Sequence, residues 1–225
     1  MGARRRNLPC HGSWISGYRA GVASSLTVPP TLAPAYDRTD WASPLGPVEE
    51  WSATLRSTVD TMPGTRFPVT LFWGPDFTMV YNEAYAPLIG DKHPAALGTP
   101  AREVFPEVWD LIGPMMASAG SGSPTWVQDE YVPLRRRGFL EECYFTFSYS
   151  PVRNELGQVE GVMDIAAETT EQVVSRRRLQ LLSAVSERAK DAEDLPHLVE
   201  LVLPLLRGST RDLPGVDIRL RGAAV

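Results

Sequence analysis

Hydrophobic positions along the chain change period several times, and each change marks an element. Between Asp40 and Gly64, Val48, Trp51, Leu55, Val59 and Met62 recur at steps of three and four, the spacing of one helix face. Pro47 stands where a first-turn residue loses nothing by lacking an N–H, and Glu49 and Glu50 fill the turn where negative charge is favoured. Pro63-Gly64 ends the pattern. The spacing predicts an amphipathic helix within residues 40–64.

Period 2 follows. Phe67–Trp73 and Phe77–Tyr81 are β-branched and aromatic runs around the turn Gly74-Pro75-Asp76, and predict a hairpin. Asn82 can cap a short helix reaching Ile89. Arg102–Ala119 returns to helical spacing, with Pro106 and Pro114 expected to cut it. Thr125–Leu134 and Leu140–Val152 read as strands joined through Arg135–Gly138, whose arginines are expected to be solvated and paired with neighbouring acids. In the second strand Cys143, Phe145, Phe147 and Tyr149 alternate with Thr146, Ser148 and Ser150, so one face is buried. Val159, Gly161, Met163 and Ile165 extend the same alternation after the turn Asn154–Gly157.

From Glu168 the pattern becomes helical again. Leu181, Leu182 and Val185 form a stripe in a helix ending near Ala192, and a second helix opens at Asp194. Val216, Ile218 and Leu220 then suggest one strand. A helix and a strand bury no core of their own, so 193–225 reads as the start of a further domain.

Residues 1–39 show neither period and are expected to be a disordered tail. Five arginines there face one acid, which leaves the rest of the chain with 17 basic and 26 acidic groups, a net −9. A part that acidic is a poor reader of duplex nucleic acid, whose binding depends on phosphate neutralisation. Cys10 and Cys143 cannot frame a disulfide scaffold, and His11, His93 and His197 lack metal-ligand spacing. No metal site is expected. A reducing, cytoplasmic compartment is the simplest reading; no membrane span is expected, and the basic start has no apolar signal core.

Residues 65–170 thus read as an α+β arrangement, a five-stranded antiparallel sheet with helices on one face. The order resembles the PAS fold. DWASPLGP at Asp40–Pro47, RFP at Arg66–Pro68, FWGPDF at Phe72–Phe77, YNEAYAPLIGDKHPAALG at Tyr81–Gly98 and YFTFSYSPVRNELGQVEGV at Tyr144–Val162 are similar to PAS sensory domains of bacterial, including hybrid, sensor histidine kinases and related multidomain regulators. In that family a stretch such as AETTE, Ala167–Glu171, closes the module, and a signalling helix, here 171–192, leads onward. Residues 193–225 resemble more weakly a truncated GAF-like start. No phosphoacceptor histidine helix or ATP lid is recognisable, so no enzyme activity and no catalytic residue is expected.

The resemblance implies a candidate pocket between sheet and helices, lined by Trp73, Tyr81, Tyr85, Phe105, Trp109, Phe145, Phe147, Tyr149 and Met163. Such walls suit a small aromatic or planar ligand; the same rings are equally what the core of a small α+β domain requires. The cysteine motif of flavin-adduct photosensors is missing, and His93, in a loop, is a poor haem ligand, so the cofactor is left unassigned. The stripes Val48, Trp51, Leu55, Val59 and Leu181, Leu182, Val185 fit either packing on the chain's own module or a homodimer through flanking helices. Two functions follow: the input module of a two-component signalling protein, or a non-catalytic interaction protein, a truncated paralogue without an output domain.

Overall fold

The computed structural model describes residues 19–20 and 26–219. The chain divides into two units, Met1–Glu168 and Thr169–Val225. In the first, the stripe expected to form one helix is broken. Val48–Glu50 makes a single tight turn, Trp51 is extended, and α1 (Ala53–Thr61) starts only after Ser52, whose Oγ accepts from the Leu55 N–H at 3.2 Å. A capping serine satisfies a helix start at the expense of helix continuity. The Arg56 guanidinium bridges the break by donating to the Val48 carbonyl at 2.7 Å. All five stripe residues are nevertheless buried within this unit. The Val48–Val59 stripe is therefore spent on the chain's own core.

The disorder expected for 1–39 does not hold for 26–39. Leu26, Val28, Leu32, Ala33, Ala35 and Tyr36 are buried, and Ala33–Arg38 is helical with Pro34 in its first turn. The Tyr36 hydroxyl donates to the Tyr81 carbonyl at 3.0 Å, and Trp41 donates to the Tyr36 carbonyl at 3.0 Å. Irregularly spaced anchors leave no period to read, yet each removes apolar surface from water. Residues 1–18 and 21–25, with Cys10 and His11, lie outside the described residues.

Five strands form one antiparallel sheet: β1 (Val69–Trp73), β2 (Thr78–Tyr81), β3 (Thr125–Tyr131), β4 (Tyr144–Arg153) and β5 (Val159–Glu168), in the order β2-β1-β5-β4-β3. The two longer predicted strands are interrupted, because Leu134–Arg135 and Leu140–Glu141 pair as a separate small hairpin. On β4 the expected face is the buried one. On β5 the phase is shifted by one residue: Val162, Asp164 and Ala166 are buried, whereas Ile165 is 45% exposed. A one-residue slip moves every side chain to the opposite face.

Over the face carrying Phe72, Phe147 and Asp164 lie the turn Glu83–Tyr85, short helices Ala86–Ile89 and Ala101–Val104, and α2 (Trp109–Gly120). Pro106 opens a new turn, as expected, but Pro114 sits inside α2 without ending it. The layered α+β architecture predicted from the sequence is thus present. The sheet is tight at Gly161, where a Cβ would lie 2.6 Å from the Trp73 ring and 3.0 Å from the Phe72 carbonyl oxygen. Gly161→Ala is expected to cost about 1–3 kcal/mol through overpacking; urea unfolding of the 225-residue chain measures it.

In the second unit, α3 (Thr170–Ala189) packs on α4 (Leu195–Gly208), which Asp194 caps through the His197 N–H at 2.8 Å. Arg177 and Arg178 reach Asp212 at 2.6 and 3.0 Å, and these guanidiniums, Arg177 first, pull its carboxyl down to about 2. Leu181 and Val185 are half-buried and Leu182 is exposed. The strand expected over Val216–Leu220 is not formed at 216–219, and Leu220 lies outside the described residues.

Candidate functional site

Between sheet and helices lies a cavity of about 50 Å³. Its floor comes from the sheet: Phe72 on β1, Phe145, Phe147 and Tyr149 on β4, Asp164 and Ala166 on β5. Its cover comes from Tyr85, Leu88, Ile89, Phe105, Val108 and Ile112, with Val132 and Leu134 at one side. Alternation on β4 aims every second residue inward, which brings Phe145, Phe147 and Tyr149 to the floor, and Asn82 turns the chain so that Tyr85 faces them.

Asn82 organises that turn by satisfying its whole side chain. Its Oδ1 accepts from the Val69 and Tyr85 N–H groups at 3.0 and 3.1 Å, and its Nδ2 donates to the Met62, Thr65 and Phe67 carbonyls at 3.3, 3.1 and 2.8 Å. The expected helix cap is therefore also a clasp between β1, β2 and the end of the N-terminal helical segment.

Of the nine residues proposed for the pocket, the structure brings Tyr85, Phe105, Phe145, Phe147 and Tyr149 together around the cavity. Trp73 instead lines an open groove with Phe77 and Gly161, and Trp109 a shallow one with Pro75 and Arg102. Tyr81 lies beside the cavity, its ring 5.7 Å from Tyr85 and its hydroxyl 2.9 Å from His93 Nδ1. Met163 points to the far face of β5, opposite Leu71, because the strand's phase is the reverse of that expected.

Asp164 was not among the nine. It is 3% exposed, and its Oδ1 has no hydrogen-bond partner; nor has Oγ1 of Thr70, its cross-strand neighbour. Burial pushes the carboxyl well above the usual carboxylate range, against the opposing influence of the Tyr85 hydroxyl. Burial also raises Tyr85 and Tyr149, and the charge of Asp164 adds to both. An orphaned buried polar atom costs about 1–3 kcal/mol, so this cluster weakens the domain that holds it. In 50 Å³ there is room for one or two waters and no more.

A buried guanidinium, that of Arg136, ties the cavity's edge to the end of β5. Its guanidinium donates to both Glu168 oxygens at 2.8 and 2.7 Å, to Glu141 at 3.4 Å and to the Leu88 carbonyl at 2.7 Å. It is 3% exposed, which corrects the expectation of a solvated arginine run. Gly90, at φ +52, permits the contact: a Cβ there would lie 2.4 Å from the Arg136 carbonyl oxygen.

Among the described residues no group of three or more His, Cys, Asp or Glu is placed to hold a metal, and no helix is long and apolar enough to cross a membrane. Cys143, buried with its thiol pushed up by desolvation, does not line the cavity.

Residues 66–174 match the family described as PAS fold. No curated protein matches the sequence. Similar solved structures include an RNA-binding Light-Oxygen-Voltage receptor, at 19% identity over 65% of this chain and 42% of that one, with a TM-score of 0.45. The chain thus spans less than half the length of that protein. Others are a sensory box sensor histidine kinase from Vibrio cholerae (20% identity, 45% of this chain, 81% of that one, TM-score 0.36) and the PAS domain of BvgS from Bordetella pertussis (21%, 57%, 96%, 0.37). The sheet order, the helical cover over one face and the family match together give residues 66–174 of this chain the PAS fold.

Proposed function

We propose that this PAS domain is the sensory input of a two-component signalling protein, taking up a small ligand in its core and passing the change through β5 into α3. The observation that carries the reading is positional. Asp164, the cavity's one carboxyl, stands on the strand that ends at Glu168, and α3 begins at Thr170. A ligand that prefers one arrangement of cover over sheet shifts the population of that arrangement, and β5 is the covalent route out. In this reading the chain supplies no catalysis of its own. It pairs as a homodimer through α3, where Leu179 and Leu182 are 66% and 62% exposed.

Hydrogen exchange of the 225-residue chain tests the route. Phe147→Ala is expected to speed amide exchange in the first half of α3 by about tenfold, along with that of β4 and β5. Acceleration confined to the sheet would sink the proposal. The interaction-module reading would then take over. It draws on Trp126 and Ile165, both exposed and both flanking Ser148 on the sheet face away from the cavity.

A further inference from the structure

Five residues stand in register across all five strands: Tyr81, Thr70, Asp164, Tyr149 and Thr125, from β2, β1, β5, β4 and β3 in turn. The rows beside them are apolar, with Met79, Phe72, Val162 and Pro151 on one side and Ala166, Phe147 and Val127 on the other. One polar row therefore crosses an otherwise apolar floor. Three of its atoms, Thr70 Oγ1, Asp164 Oδ1 and Thr125 Oγ1, make no hydrogen bond of ordinary geometry, and the Tyr85 hydroxyl is near enough to Thr70 and Asp164 to influence them. Asn82, one residue beyond the row, has by contrast every polar side-chain atom bonded. The row is left open.

Its chemistry selects an occupant. Asp164 is the only carboxyl lining the cavity, and no basic side chain among the described residues lines it. Six of the other lining residues are aromatic, a side-chain class whose ring faces attract cations, and the remaining seven are aliphatic. We infer that the row is the recognition edge for a small organic cation bearing N–H groups, an amine or amidine, whose charge Asp164 takes and whose second N–H goes to Thr70. This rests on the sensory reading above and names the ligand class for that site.

Burial disfavours the ionised carboxyl, so a cation that pairs with the protonated form releases its proton to solvent and the pair stays neutral. A cation larger than a few heavy atoms must also push the cover outward at Leu88, Ile89 and Phe105, since 50 Å³ does not hold it. Binding and displacement of the helical layer are then one event.

The test is titration of the ¹⁵N-labelled chain with methylammonium and benzamidinium chlorides, against the neutral isostere benzamide and against potassium chloride. The amides of 70–72, 147–149 and 162–166 are expected to shift with the two organic cations alone. Asp164→Asn should weaken that binding at least about tenfold, and Thr70→Val should weaken it without touching charge. Affinity should rise about tenfold per pH unit while Asp164 still carries its proton. The titratable groups facing it are the phenols of Tyr85, Tyr149 and Tyr81, all pushed upward and uncharged over that range; the helical cover contributes only Leu88, Ile89, Phe105, Val108 and Ile112.

Benzamide binding as well as benzamidinium, undiminished binding to Asp164→Asn, or no response to either cation each overturns the inference. If Asp164→Asn does not fold, Thr70→Val and the pH series decide. The Phe147→Ala exchange experiment uses no ligand and so separates the two proposals. Cation binding without coupling to α3 leaves the site and removes the sensory route; coupling without cation binding does the reverse.

Discussion

Arg136→Ala is expected to cost about 3–5 kcal/mol of stability, among the largest effects of any single change in the domain. The reason is what it leaves behind. Arg136 serves Glu168 bidentately, Glu141 and the Leu88 carbonyl from a position almost wholly shielded from water. Truncation takes the guanidinium from two carboxylates and a carbonyl oxygen at once. Glu141 retains Arg137 at 3.2 Å, so Glu168 carries most of the penalty. Arg136→Met combined with Glu168→Leu should recover most of the loss, because apolar packing replaces a desolvated pair at little net cost. Urea unfolding of both variants checks this. A loss below about 1 kcal/mol for Arg136→Ala would place the network with surface ion pairs instead.

Asn82→Ala should cost about 3–4 kcal/mol, by orphaning donors and acceptors in three segments together. Three carbonyl oxygens, from Met62, Thr65 and Phe67, face its amide nitrogen, and two N–H groups face its oxygen. Asn82→Asp sharpens the test. It keeps the acceptor side but points an oxygen at the three carbonyls. The protonated acid can still donate to one of them, whereas the carboxylate repels all three. The new carboxyl's folded pKa therefore lies above its unfolded value. Its contribution is present at low pH and is lost as pH rises through the folded pKa. Thermal melts should show the variant nearer to wild type at pH 4 than at pH 7. Equal deficits at both would mean that the amide's donors matter little.

Much of this fold was legible because its strands and turns carry local signals. Phe145, Phe147 and Tyr149 alternate cleanly, Asn82 sits where a cap belongs, and Gly74-Pro75-Asp76 and Asn154–Gly157 are turn chemistry. The site was legible only in part. β5 is central, with apolar residues on both faces, so Met163 and Ile165 looked like its core face and concealed Asp164 on the other. The PAS resemblance implies Trp73 and Trp109 in the pocket, but their positions send them to grooves beside it. Arg136 had no readable signal: its burial depends on Leu88 and Glu168, each at least 32 residues away. The segment 26–39 was misread for a similar reason, since composition measures propensity and not the presence of a surface to dock on.

The strand order bears on how the chain is made. β5 is synthesised after the other four strands yet fills the middle of the sheet, between β1 and β4. Until residue 168 has emerged, the growing chain holds two separate hairpins, β1–β2 and β3–β4, each with an open edge and an unpaired apolar face. Those edges are the points at which a stalled or truncated chain would pair with the wrong neighbour. The segment that closes them is the one bearing Asp164, so the ligand row is completed in the same step that makes the nascent domain safe from its neighbours.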